Sequence, residues 1–293
     1  MRKVTFLLFS LLVFCFADAP QVKQVKSTYH LASKSYGRAE YFNFENDMAS
    51  YMIYFQWINA SPKSPEKVVI GMPQPVFWQG FFNRDFMSLT VNDINSRILQ
   101  PKSFDIYSAE GRAGLKVKYN FDGVLMNLDF YMTETSQLLF MEWNVDEANE
   151  EPIEKIKMNI TTYPSYSVHN GGKVSPDYGR KIKTPVREIG QPSNGKPGWV
   201  TLKKEENQLI MYDEKFDYPA TEKAQGPCYM TLDWSNVLSG RVWFGYIYCD
   251  NFEFVFSPSA RQWRFGLWET KKKQSNKDFF DFKAANEQYF LLK

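Results

Sequence analysis

The sequence predicts an all-β protein, an antiparallel β-supersandwich carrying one C-terminal α-helix. Three observations carry that prediction. Apolar and polar residues alternate over short runs along most of the chain, a period of two that a helix does not produce. Turn dipeptides punctuate the runs: Asp122-Gly123, Asn170-Gly171, Asn194-Gly195 and Pro197-Gly198. Aromatic residues reach 17%, from 25 Phe, 17 Tyr and 8 Trp, a composition that favours strands and stacking surfaces. The 293 residues fit one large β domain, and 44% hydrophobic with 23% charged residues is the make-up of a folded globule.

Residues 1–17 read as a cleaved secretory signal. Arg2 and Lys3 form a basic start, Val4 to Phe16 is apolar apart from Thr5 and Ser10, and Cys15 and Ala17 are small residues at the positions a signal peptidase reads. A helix over that apolar run would reach about 20 Å, against about 30 Å of membrane hydrocarbon. The expected location is therefore secreted or periplasmic, with no membrane span after cleavage. Residues 18–293 read as a single large β-sandwich domain. Removing Arg2 and Lys3 leaves 33 basic residues against 33 acidic ones. A neutral chain has no electrostatic pull toward phosphate backbones, so nucleic acid is not an expected partner.

Taken in order, the strands are read from their apolar faces. Val124, Met126, Leu128, Phe130 and Met132 share one face of a strand. Leu139, Met141, Trp143 and Val145 repeat the pattern, followed by Ile156, Met158 and Ile160. Segment 163–199, with five prolines, reads as an irregular loop. Tyr229 to Trp234 and Val242 to Tyr248 read as two strands of a hairpin centred near Leu238. That pairing would set Cys228 almost opposite Cys249, and it predicts a disulfide; the alternative is two buried thiols. Phe252, Phe254 and Phe256 form a further face, as do Trp263, Phe265 and Leu267. A helix is expected over about 275–290, with Ser275 as its cap, Asp278 completing a capping-box pattern, and Phe279, Phe282, Asn286, Tyr289 and Phe290 along one stripe.

Chemistry is sparsely marked. The chain has two histidines, His30 and His169, neither at metal-ligand spacing from a partner, and it has no CxxC, HExxH or GxSxG string. No metal and no cofactor are expected. The weak catalytic candidates are His169, Tyr178, Arg180 and Glu269, the last closing the strand Trp263–Trp268. Aromatic–polar clusters stand out more. Trp78, Arg84 and Asp85 fall in one run rich in rings, and Arg264 and Trp268 fall on the strand face opposite Phe265 and Leu267. Flat rings beside Asn, Asp and Arg suit a pyranose, whose apolar face stacks while its hydroxyls take directional hydrogen bonds. These five residues are the expected ligand-binding set. Two glycosylation triplets occur, at Asn59 and Asn159, the second inside a strand.

The stretch Leu138-Leu139-Phe140-Met141-Glu142-Trp143-Asn144-Val145, then Ile156 through Ser165, and later Gly226-Pro227-Cys228 through Trp268-Glu269, resembles supersandwich domains of the galactose-mutarotase-like type. The resemblance spans roughly residues 35–270 as a strand pattern. It implies a concave sheet face suited to carbohydrate. Sugar-converting members of that family carry a His in an Asn-His-x-Tyr-Phe-Asn setting, a second His and a catalytic Glu. Here Tyr41-Phe42-Asn43 lacks the preceding His and His169 stands in another context, so no catalytic residue is carried over. The expectation is an exported carbohydrate-binding or carbohydrate-processing-associated protein. The alternatives are a sugar or uronic-acid lyase or epimerase using His169, and a cell-surface structural or protein-interaction module.

Overall fold

The computed structural model describes residues 19–30, 36–58, 66–71, 86–109, 111–162, 164, 179–190, 198–222, 224, 226–246, 249–269 and 272–292. Strands β1 (Gln21–His30), β2 (Tyr36–Glu45), β3 (Ser50–Ile58) and β4 (Lys67–Gly71) form a four-stranded antiparallel meander. The chain continues through β5 (Met87–Val91), β6 (Ile94–Asn95), β7 (Ser103–Ala109), β8 (Arg112–Phe121), β9 (Val124–Thr133), β10 (Leu139–Val145) and β11 (Ile156–Thr162). It ends with β12 (Arg180–Lys183), β13 (Glu188–Gly190), β14 (Trp199–Leu202), β15 (Gln208–Asp213), β16 (Cys228–Leu232), β17 (Val237–Tyr246), β18 (Cys249–Phe256), β19 (Gln262–Glu269) and the helix α1 (Asn276–Ala285).

Two larger sheets complete the antiparallel supersandwich. One has nine strands in the order β13-β12-β15-β16-β19-β10-β9-β8-β7, and the other has six in the order β14-β17-β18-β11-β5-β6. The alternating apolar faces explain their stacking. Met126, Leu128 and Phe130 of β9, Met141 and Trp143 of β10, and Phe265 and Leu267 of β19 all point inward from the nine-stranded sheet. Ile156, Met158 and Ile160 of β11 and Phe252, Phe254 and Phe256 of β18 face them from the six-stranded sheet. Phe42, Phe44, Ile53 and Phe55 of the four-stranded sheet join the same continuous core. The β8–β9 hairpin turns on Asp122 (φ 52°) and Gly123 (φ 98°), two left-handed residues as a tight hairpin turn requires.

Two expectations are corrected here. The hairpin of Tyr229–Trp234 with Val242–Tyr248 does not form. β16 pairs with β15 and β19, whereas β17 pairs with β14 and β18 in the other sheet. The chain crosses between sheets at Asp233–Asn236, because both strands need two neighbours and find them in different layers. The bridge expected from that hairpin falls with it: Cys228 is a free, buried thiol in β16, while Cys249 opens β18. Within segment 163–199, which reads as irregular, lie the short strands β12 and β13 and the first residue of β14.

The helix supplies a second, smaller core. Ser275 caps it by accepting a hydrogen bond from the Asp278 amide at 3.0 Å. Phe279 and Phe290 pack onto Tyr131, Phe140, Tyr229 and Trp268, which point out of the far face of the nine-stranded sheet. The Tyr229 hydroxyl donates to the Phe290 carbonyl at 3.0 Å, pinning the end of the chain to the sheet.

Candidate functional site

At one end of the sandwich the apolar lining turns polar. Along β12, β15, β16 and β19 the inward positions run Ile182 to Arg180, Met211 to Asp213, Met230 to Cys228 and Leu267 to Glu269. Register holds these ends together: Arg180 is opposite Asp213, and Cys228 is opposite Glu269. The facing sheet contributes Thr162 and Asp250, opposite one another at the ends of β11 and β18. All six side chains are buried.

The charges there are unevenly matched. Arg180 donates to Asp213 in a fork, Nε to Oδ1 at 2.8 Å and Nη2 to Oδ2 at 3.0 Å. Asp250 is fully buried, and neither of its carboxylate oxygens has a hydrogen-bond partner among the described residues. Burial pushes its pKa up to about 7; the Arg180 guanidinium pulls it down and the Asp213 carboxylate pushes it up. Thr162 Oγ1 also has no such partner. Burial, and then the Asp250 and Glu269 carboxylates, push the Cys228 thiol well above its ordinary range, so it is not a nucleophile in this state.

Glu269 also borders a cleft. A cavity of about 410 Å³ is lined by Asn46, Asp47, Tyr51, Glu269, Lys272 and Gln274 among others, with Trp268 at its wall. Asn46 shapes the rim. Its Nδ2 donates to the carbonyls of Thr133 and Ser136 at 2.7 and 2.9 Å, and its Oδ1 accepts from the amides of Met48 and Ala49. This ties the β2–β3 turn to the β9–β10 turn. The Tyr51 hydroxyl donates to the Gln137 carbonyl at 2.5 Å, and burial together with the nearby Glu269 carboxylate keeps it protonated. Carboxylates, an ammonium, amides and a ring edge around one opening can hydrogen-bond a hydroxyl-rich molecule.

The sequence-marked residues divide as follows. Arg180 and Glu269 come together in the polar end. Arg264 lies on the opposite face of the nine-stranded sheet, where it borders a separate cavity of about 390 Å³ with Gln208, Thr231 and Asp233. Trp268 is not an open stacking platform: it is 6% exposed, with its ring centroid 4.7 Å from that of Phe279 under the helix. Trp78, Arg84, Asp85, His169 and Tyr178 lie outside the described residues. Asp213, Asp250 and Thr162 join the site without being marked in the sequence analysis. The signal was present, because each occupies an inward position of its strand where an apolar residue is otherwise the rule. Among the described residues, no group of three or more His, Cys, Asp or Glu side chains is placed to hold a metal ion.

No family model matches the chain, and no curated protein sequence matches it. Several solved structures are similar in fold. A protein assigned as an aldose 1-epimerase, from Klebsiella pneumoniae, superposes with a TM-score of 0.51 at 7% identity, covering 93% of this chain and 88% of its own. A galactose mutarotase-like protein from Clostridium acetobutylicum is similar at 7% identity over 83% of this chain and 98% of its own, TM-score 0.41. An α-N-acetylgalactosaminidase from Bifidobacterium bifidum is similar at 9% identity over 89% of this chain, TM-score 0.47; the chain spans about two fifths of that enzyme's length, 39%. The fold is that of the galactose-mutarotase-like supersandwich, as the strand pattern predicts. At such identity the likeness is one of fold.

Proposed function

We propose that this chain is an exported protein that binds carbohydrate at the polar end of the sandwich, with Glu269 at the cleft and Asp250, Arg180 and Asp213 behind it. One observation carries the reading: a fully buried carboxyl, Asp250, keeps both oxygens without a hydrogen-bond partner among the described residues, beside an Arg–Asp fork. A buried polar group left unmatched costs about 1–3 kcal/mol; Asp250 does not itself line the cleft, so a ligand's hydroxyls would offset that cost by entering past Glu269. The shared fold supports the same reading, since the Klebsiella protein is assigned to sugar chemistry. Export rests on the signal-like residues 1–17.

The test is a panel of neutral and acidic sugars and oligosaccharides, read by tryptophan fluorescence and melting temperature. The expected result is a saturable shift with one sugar class, weakened at least about tenfold in Glu269→Gln. No shift with any sugar, or an unchanged affinity in Glu269→Gln, overturns the assignment.

Turnover at the same site is a second reading, favoured by the raised pKa of Asp250. A carboxyl held near neutrality is matched to both giving and taking a proton at pH 7. Following a bound sugar by NMR over hours separates the two: conversion that Asp250→Asn abolishes makes the protein an enzyme, and an unaltered sugar keeps it a binder.

A further inference from the structure

The outward face of the six-stranded sheet carries a feature that neither the core nor the polar end uses. Trp199 opens the edge strand β14 and is the cross-strand partner of Trp243 in β17. Their neighbours Val200 and Val242 turn toward the core, so both indoles point away from it. The ring centroids are 5.4 Å apart with planes at 56°. Trp199 is 42% exposed, the one aromatic among the large exposed hydrophobic side chains of the described residues. An edge strand is ordinarily protected by charge or proline, and an open indole pair there is a liability unless something covers it.

The surrounding charges say what covers it. The Arg241 guanidinium lies 4.1 Å from the Trp199 ring centroid. Arg241 also pairs with Glu253, Nη2 to Oε1 at 2.6 Å, and Lys157 approaches the same carboxylate, Nζ to Oε2 at 3.4 Å. Two cations thus share one anion, and the patch keeps a net positive charge. Arg241 and Lys157 are 46% and 34% exposed, so both cations reach solvent. Arg241, Glu253 and Asn159 lie in one row across three adjacent strands, next to the row that holds the two indoles. Adjacent strands repeat every ~4.8 Å, so the two rows offer contacts at regular intervals to an extended chain and do not enclose a single sugar.

We infer that this face is a second glycan site, for an acidic polysaccharide whose rings stack on Trp199 and Trp243 and whose carboxylates pair with Arg241 and Lys157. Stacking accounts for the indoles, and the excess positive charge selects a polyuronate over a neutral polymer. The site lies on the opposite face of the six-stranded sheet from Asp250 and stands whether or not the cleft binds a sugar.

The test uses the full chain in native gels and calorimetry with polygalacturonate, and with dextran as the neutral polymer. The expected result is retention by polygalacturonate only, weakened by 0.5 M salt (roughly a 4 Å screening length). Trp199→Ala and Arg241→Ala should each lose at least about tenfold in affinity while melting as the parent does, and Glu269→Gln should bind the polymer unchanged. No retention by polygalacturonate, equal retention by dextran, or unchanged binding in Trp199→Ala overturns the inference. Should Trp199→Ala prove unstable, Trp199→Phe with Lys157→Ala serves in its place, and unchanged binding there overturns it equally. Loss in Glu269→Gln alone would move polymer binding to the cleft, against this inference and in favour of the other.

Discussion

Tyr107 reaches across a neighbouring strand to hydrogen-bond Asp129, its hydroxyl donating to Oδ1 and Oδ2 at 3.0 and 2.9 Å. The strand between them provides the passage. Gly114 of β8 lies opposite Tyr107, and a Cβ at that position would stand 2.4 Å from the tyrosine oxygen. Burial raises the Asp129 pKa to about 6, against the lowering effect of this hydrogen bond. Tyr107→Phe should therefore push it higher still, as carboxyl NMR titration would show. A hydrogen bond to a charged group contributes about 1.5–3 kcal/mol. The stability deficit of Tyr107→Phe should grow as pH rises through 6, where Asp129 ionises. An Asp129 titration that does not move sinks this account.

Asp250 makes stability depend on pH in the same direction. Its folded value of about 7 lies above the ~4 of an unfolded aspartate, so the folded chain holds a proton that the unfolded chain releases. The resulting stabilisation is fully present below about pH 4 and is lost as pH rises through 7. Asp250→Asn carries no such charge. Urea titrations from pH 4 to 8 should show the variant gaining on the parent by up to about 1.4 kcal/mol per pH unit. A difference that stays flat across that range contradicts the assignment.

Trp268 tests the second core. Its ring lies against Phe279, Phe282 and Phe290, with centroids at 4.7, 6.3 and 5.8 Å. Trp268→Ala should cost about 3–5 kcal/mol and loosen the helix, visible as faster amide exchange at Phe279 and Phe282. A variant that unfolds like the parent would return Trp268 to the role of an open binding surface.

Cys228 offers a chemical check on the missing bridge. Buried in β16, it should resist alkylation in the native chain and take the label once the chain is denatured without reductant. Peptide mapping decides it: a Cys228 peptide that stays unlabelled after denaturation would mean the sulfur is bonded.

The alternation of Met126, Leu128 and Phe130 or of Phe252, Phe254 and Phe256 made the strands and their inward faces legible, because period two reports a face directly. It does not report a partner. Cys228 and Val242 lie on neighbouring strands in sequence yet enter different sheets, and no local pattern marks the crossing at Asp233–Asn236. Trp268 was misread for a related reason. Its position off the main core face was legible, but that face is dry because a helix further along covers it. Glu269 was visible as a strand-end charge and Arg180 only as a charge in an irregular segment, while Asp213 and Asp250 needed the sheets assembled before their meeting could be seen.

The helix that covers Trp268 has a consequence for the order of synthesis. Strands β8, β9 and β10 are made long before Phe279 and Phe290, and the outer-face cluster begun by the stacked Tyr131 and Phe140 is completed only by those late residues. A ribosome adding about 5–20 residues per second leaves that face without its helix for roughly 7–30 seconds after β10 is made. The closing helix is thus the last part of that second core to be made.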